Sequence, residues 1–214
     1  MIVSSHVRNR LIAFFLCSLL FLLVLPQANS AVASDPMTQM KSTVDEIMAV
    51  LNDENLKQPE AWPEKKTLIR AIVDHRFDFE EMSKRALAKN WKKRTDEEKE
   101  YFVSLFSKLL ENTYIDRVDE YSDEVVVFQK QNIKGKKAVV YTILSSTSME
   151  IPVIYKLLQQ GDDWFVYDLI IEGVSLVRNY RSQFTKIVSR EKYVGLIKRV
   201  EEKVNKIDES SVLN

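Results

Sequence analysis

The chain is poor in the residues on which most protein chemistry depends. It has a single cysteine, Cys17, which lies in an apolar N-terminal stretch, so no disulfide supports the rest of the molecule. Of its two histidines, His6 lies in the same stretch. That leaves His75, and one imidazole without a thiol cannot assemble a zinc or iron site. His75 falls near the end of a predicted helix, where a histidine serves the negative helix terminus. The four glycines, Gly135, Gly161, Gly173 and Gly195, are too scattered for a phosphate-cradling loop or a dinucleotide fingerprint. No nucleophile-elbow motif is present. An excess of charge is missing too: 31 basic residues balance 31 acidic ones, which argues against a surface built for nucleic acid.

What is present begins with a leader. Arg8 and Arg10 precede an uncharged apolar run from Leu11 to Leu25, followed by Pro26 and small residues. This reads as a secretory signal peptide over residues 1–33, with cleavage expected after Ser30 or Ala33. The run is short for a spanning helix, which needs about 20 residues. Cleavage would remove two basic residues and no acid, leaving a net charge of about −2 on residues 34–214, read here as one domain.

Helical patterns come first. Asp35-Pro36 predicts a capped helix start, and Met37, Met40, Val44, Ile47, Met48 and Leu51 recur at helical spacing. A polar, proline-punctuated loop, NDENLKQPEAWP, precedes a second helix marked by Leu68, Ile69, Ile72, Val73 and Phe77. Asp78 with Glu81, and Thr95 with Glu98, are capping-box patterns that open a third helix and a long fourth one reaching Val118. Past Glu124 the period changes from 3.6 to 2. Four strands are predicted over Val125–Gln131, Lys136–Ser145, Glu150–Gln159 and Asp163–Glu172, joined by short turns that imply an antiparallel meander. Gly173 breaks the last strand, a helix beginning near Val174 follows, and a terminal helix over about Tyr193–Val204 precedes a frayed DESSVLN tail. The class is α+β, with a four-stranded antiparallel curved sheet and about six helices.

The sheet has too many apolar residues for an ordinary antiparallel one, which needs a single apolar face. Along the fourth strand Phe165, Tyr167, Leu169 and Ile171 alternate with Trp164, Val166, Asp168, Ile170 and Glu172, and both sets are largely apolar. The second and third strands repeat the pattern. Either helices cover both faces, or the curved sheet encloses an apolar space that something else fills. Catalytic pairs are scarce. Asp168 and Glu172 lie about 13 Å apart along a strand, whereas a glycosidase pair needs roughly 5 to 9.5 Å. One enzymatic alternative is a cone-shaped domain in which Tyr155 and Asp168 act on an apolar substrate. Another reading is a non-catalytic adaptor.

The run WFVYDLIIEGVSLVRNYRSQF, Trp164 to Phe184, resembles the signature of the MlaC family, also called toluene-tolerance proteins. Phe79, Met82, Ala86, Leu87, Trp91, Thr95, Phe102, Phe106, Leu110, Tyr114 and Tyr121 resemble the helical pattern of that family, and the likeness extends from about Pro36 to about Val204. Ala88 stands where the family usually has glycine, and Phe165 where a basic or polar residue is common. The resemblance implies a soluble periplasmic carrier, not an enzyme, with no cofactor and a glycerophospholipid as cargo, held by its acyl chains in an apolar cavity between sheet and helices. It implies as partners an inner-membrane ABC transporter complex with a lipid-binding ring and an outer-membrane lipoprotein complex, a role in outer-membrane lipid asymmetry, and a monomer. The lining residues expected on this basis are Val139, Tyr141, Val153, Tyr155, Val166 and Val174 from the sheet and its exit, with Met82, Phe102, Phe106 and Leu109 from the helices. Arg178 and Arg181 are expected on a solvated helix face, at a docking surface, or near a lipid phosphate. The need for enclosure is physical: at about 0.8 kcal/mol per methylene, exposing some thirty methylenes to water would cost roughly 24 kcal/mol.

Overall fold

The computed structural model describes residues 35–118, 125–146 and 149–212, without the side chains of 116–118 and 208–212. The segment expected to be a signal peptide, with its two candidate cleavage points, and Tyr121 lie outside the described residues. The first helix, α1 (Pro36–Leu51), starts as its sequence dictates: Asp35 accepts a hydrogen bond from the Thr38 amide, and Pro36 occupies the first turn. The loop after it holds two short 3-10 turns, and α2 (Trp62–Arg76) begins at Trp62, earlier than the apolar spacing suggests, with Pro63 in its first turn. Asp78 caps α3 (Phe79–Leu87), accepting from the Glu81 amide at 2.8 Å. Thr95 and Glu98 cap each other reciprocally at the start of α4 (Asp96–Val118).

Strands β1 (Val125–Lys134), β2 (Lys137–Ser145), β3 (Glu150–Gln160) and β4 (Asp163–Ile171) form the expected antiparallel meander. The sheet has a fifth strand, β5 (Val174–Ser175), where a helix start was expected. Glu172 and Gly173 both take positive φ, 49° and 80°, so the two-residue connection is a hairpin turn of the primed kind and holds Val174 against Ile171. Helix α5 (Leu176–Val212) therefore begins two residues later than the periodicity indicates, and it runs through the segment read as a frayed tail. At Lys192 its backbone leaves the helical region, with φ 64° and ψ −175°, so two helical rods meet there and the second starts at Tyr193, as its spacing predicts.

Helices α3, α4 and α5 form a bundle around Phe102, Phe106, Tyr180, Phe184 and Leu196. The rings of Phe102 and Phe106 stack at 5.7 Å, with Phe184 edge-on to both. A second cluster joins α1 to the sheet through Met40, Ala138, Val140, Leu157, Trp164 and Val166. A third, Leu51, Ile69 and Ile115, joins α1, α2 and α4. The first half of α1 thus packs on strands and its second half on helices. A buried polar knot fixes it at the strand-turn end. Arg76 donates to Gln39 Oε1 at 2.6 Å, to the Trp164 carbonyl at 2.9 Å and to Thr43 Oγ1 at 2.9 Å, tying α1, α2 and β4 together.

Candidate functional site

Two β-bulges decide which side chains share a face. Between β1 and β2 the register shifts at Phe128/Lys130, and between β3 and β4 at Lys156/Leu157, where Tyr167 is the extra residue. Simple alternation put Tyr167, Leu169 and Ile171 together and Val166 with Asp168. The bulge overturns this arrangement. Trp164, Val166, Leu169 and Ile171 face the same side as α1, opposite Leu157, Tyr155 and Val153, while Asp168 pairs with Lys156 on the other side. The enzymatic alternative fails on the same geometry, because Tyr155 and Asp168 lie on neighbouring strands but opposite faces of the sheet.

Asp168 is fully occupied with structure. Its carboxylate accepts from Ser175 Oγ at 2.9 and 2.8 Å, from the Val177 amide at 3.2 Å and from Lys156 Nζ at 3.1 Å. Ser175 Oγ in turn accepts from the Arg178 amide at 3.1 Å and so caps α5. The Tyr-Asp-x-x-x-Glu-Gly-Val-Ser run is thereby explained residue by residue: a carboxylate anchor, a primed turn, a two-residue strand and a helix cap.

The α1-facing side of the sheet divides into two halves. Near the turns at Gly135 and Gly161, Ala138, Val140, Leu157 and Val166 are sealed by α1. Toward the opposite ends of the strands, the same face carries Val126, Leu144, Ile151, Tyr155, Leu169 and Ile171, joined by register through Leu144↔Ile151, Val126↔Leu144 and Val153↔Ile171. These six are only half-buried, and Val174, at the edge beside Ile171, is 55 % exposed. Helix α4 packs on α2, α3 and α5, but among the described residues it makes no extended contact with a strand. Tyr155 packs at the border of the sealed half, against the cluster that joins α1 to the sheet. Burial pushes its hydroxyl up to about 12 despite a hydrogen bond with Thr142, yet the side chain remains partly accessible.

The ten expected lining residues fall into three places. Val153, Tyr155, Val166 and Val174 lie on this apolar face, although Val166 belongs to its sealed half. Val139 and Tyr141 point to the other face; Tyr141 pairs with Lys130, whose ammonium sits 4.9 Å from its ring. Met82, Phe102, Phe106 and Leu109 are interior to the helical bundle, exposed by 1 % or less. Val126, Leu144, Ile151, Leu169 and Ile171 were not singled out from sequence. Their signal was the second apolar set on each strand, read through the cross-strand register. Among the described residues no group of three or more metal-ligating side chains occurs, and no helix is long and apolar enough to cross a membrane.

Comparison with known proteins agrees with this architecture. Residues 41–202 match the family model described as MlaC protein. The chain is 19 % identical over 177 residues to the intermembrane phospholipid transport system binding protein MlaC of Haemophilus influenzae, covering 79 % of this chain and 82 % of that protein. It also superposes on a phospholipid-binding protein from Ralstonia solanacearum, solved in complex with a phospholipid at 1.53 Å, with a TM-score of 0.75 and 22 % identity, over 82 % of this chain and 99 % of that one.

Proposed function

The chain belongs to the MlaC family, and from that premise we propose that it is a periplasmic phospholipid carrier that shelters acyl chains against the uncovered half of its sheet. The observation that carries this reading is the half-buried apolar floor from Val126 to Ile171, which no helix among the described residues seals as α1 seals the other half of the same face. An apolar face left accessible inside a protein loses the stabilisation its burial would supply, about 25 cal/mol for each Å². Hydrocarbon tails laid on it restore that term and are themselves removed from water.

In this reading Tyr155, Leu169, Ile171, Leu144 and Ile151 touch the tails, Val174 stands at the mouth, and the head group remains toward solvent. Loading and unloading involve no covalent step and need no cofactor. The exported form begins after a leader removed at Ser30 or Ala33. It receives its cargo from one membrane-bound assembly and hands it to another: an inner-membrane ABC transporter complex on one side and an outer-membrane lipoprotein complex on the other, in the service of outer-membrane lipid asymmetry. Mass spectrometry of an organic extract of the purified protein tests the central claim. Co-purifying glycerophospholipid in near-stoichiometric amount is expected, and a protein that emerges lipid-free from phospholipid-rich membranes and takes none up from vesicles would overturn the reading.

A further inference from the structure

A cleft of about 470 Å³ opens on the opposite side of the sheet from Tyr155, beside the bulge at Tyr167. Its position follows from the edge of β4. Phe77 pairs with that edge at Val166 and β5 pairs with it at Ile170 and Ile171, so the strands and helices on either side diverge between these points. Four cations line the space, Arg85, Lys156, Arg178 and Arg181, with one carboxylate, Asp168. Two of the four are neutralised: Lys156 by Asp168 at 3.1 Å, and Arg85 by Glu81 at 2.6 Å while its guanidinium lies 4.1 Å from the centre of the Tyr167 ring. Asp168 has already committed its oxygens to Ser175, Val177 and Lys156. Arg178 and Arg181 are different. Both are exposed, one turn apart on α5, and neither has an acidic partner among the described residues.

We propose that this cleft binds a phosphate ester, with Arg178 and Arg181 supplying the two uncompensated positive charges. A phosphate monoester carries about two negative charges near neutrality, and guanidinium groups present paired donors that match its oxygens. The volume lies in the range of small-molecule sites, about 300 to 1,000 Å³, and is enough for a phosphate with a glycerol-sized substituent. The phosphate could be borne by a lipid head group reaching round the β5 edge or by a soluble ester. The site does not depend on the acyl-chain reading, since the apolar floor lies on the other face of the sheet.

Calorimetric titration of the full exported protein with sn-glycerol 3-phosphate at low ionic strength tests the proposal. Saturable one-to-one binding is expected, weakened at least about tenfold in the double variant Arg178→Gln/Arg181→Gln, the loss typical of a charge-assisted hydrogen bond. Neither side chain holds the fold together, so the thermal unfolding of the variant should match that of the parent. The lipid content of both preparations identifies the source. A fall in the variant assigns the site to the head group of the cargo, and unchanged content assigns it to a soluble ester. Absence of saturable binding, or equal affinity in parent and variant, would overturn the proposal; a lipid-free parent that still binds the ester would count against the carrier reading alone.

Discussion

Ala88 follows the last residue of α3 with φ 50° and ψ −121°, a conformation that glycine adopts freely and other residues only under strain. Strain of this kind costs on the order of 1–3 kcal/mol, and the greater freedom of glycine in the unfolded chain takes back roughly 0.5–1. Ala88→Gly should therefore stabilise the fold by about 1 kcal/mol, raising the midpoint of thermal unfolding by about 2–4 °C. An unchanged or lowered midpoint would show the backbone to be relaxed there. This is a place where the sequence was informative: the family resemblance leads one to expect glycine at this position, and the geometry explains why glycine would suit it. Glu111 is a second residue-scale case. Burial raises its carboxyl above the ordinary value of 4.5, and Arg70, 2.7 Å away, offsets this only in part. A raised acid pKa means that the folded state holds the proton more tightly than the unfolded one. The penalty is complete above the folded pKa and fades as pH falls through it toward 4.5. Glu111→Gln should be slightly more stable than the parent at pH 7 in urea melts, with the gap closing toward pH 5; a gap independent of pH would mean that Glu111 is ionised at no cost.

At the scale of elements, most of the architecture was legible. Cap residues Asp35, Asp78 and Thr95 mark helix starts because their side chains satisfy amides that the helix cannot. The positions of Gly135 and Gly161, both at positive φ, set the hairpins. The bulges at β1 and β4 were not legible, since neither contains glycine or proline, and the one in β4 is held by tertiary contacts: Tyr167 beneath Arg85, and Asp168 against Ser175. A one-residue slip exchanges faces, which is why Leu169 and Ile171 part from Tyr167; Val139 and Tyr141 lie away from Tyr155 for a different reason, the unbroken β2–β3 register that pairs Tyr155 with Val140. A two-residue strand such as β5 is likewise too short to leave a periodic signal. Nor does anything local mark Arg76, whose role depends on three elements meeting. Arg76→Ala would leave Gln39, Thr43 and the Trp164 carbonyl short of their donor in a buried site, and should cost about 3 kcal/mol or more in chemical denaturation. A loss below about 1 kcal/mol would mean that water replaces the guanidinium without difficulty.

For the whole molecule, the fold and the existence of surplus apolar surface could be read from the chain, but which apolar side chains stay half-buried could not, because that depends on which half of one face α1 reaches. The position of Val174 turns this into a test. It lies at the open edge of the floor and is more than half exposed, so it supports no core. Val174→Glu should leave the unfolding transition close to that of the parent while placing a charge where tails would pass, and the phospholipid recovered by extraction should fall severalfold. Lipid retained in full would move the mouth elsewhere. The split allegiance of α1, to strands through Met40 and to helices through Leu51, has a mechanical corollary. Sheet and bundle are fastened at the strand-turn end by α1 and again along β4, where the Val177 amide donates to Asp168 and Arg85 lies over Tyr167, like covers stitched along two adjoining sides. Any yielding between them is left to the opposite corner, by Val126 on β1, where a proposed cargo would meet the sheet without unpicking either the Arg76 knot or the Asp168 anchor.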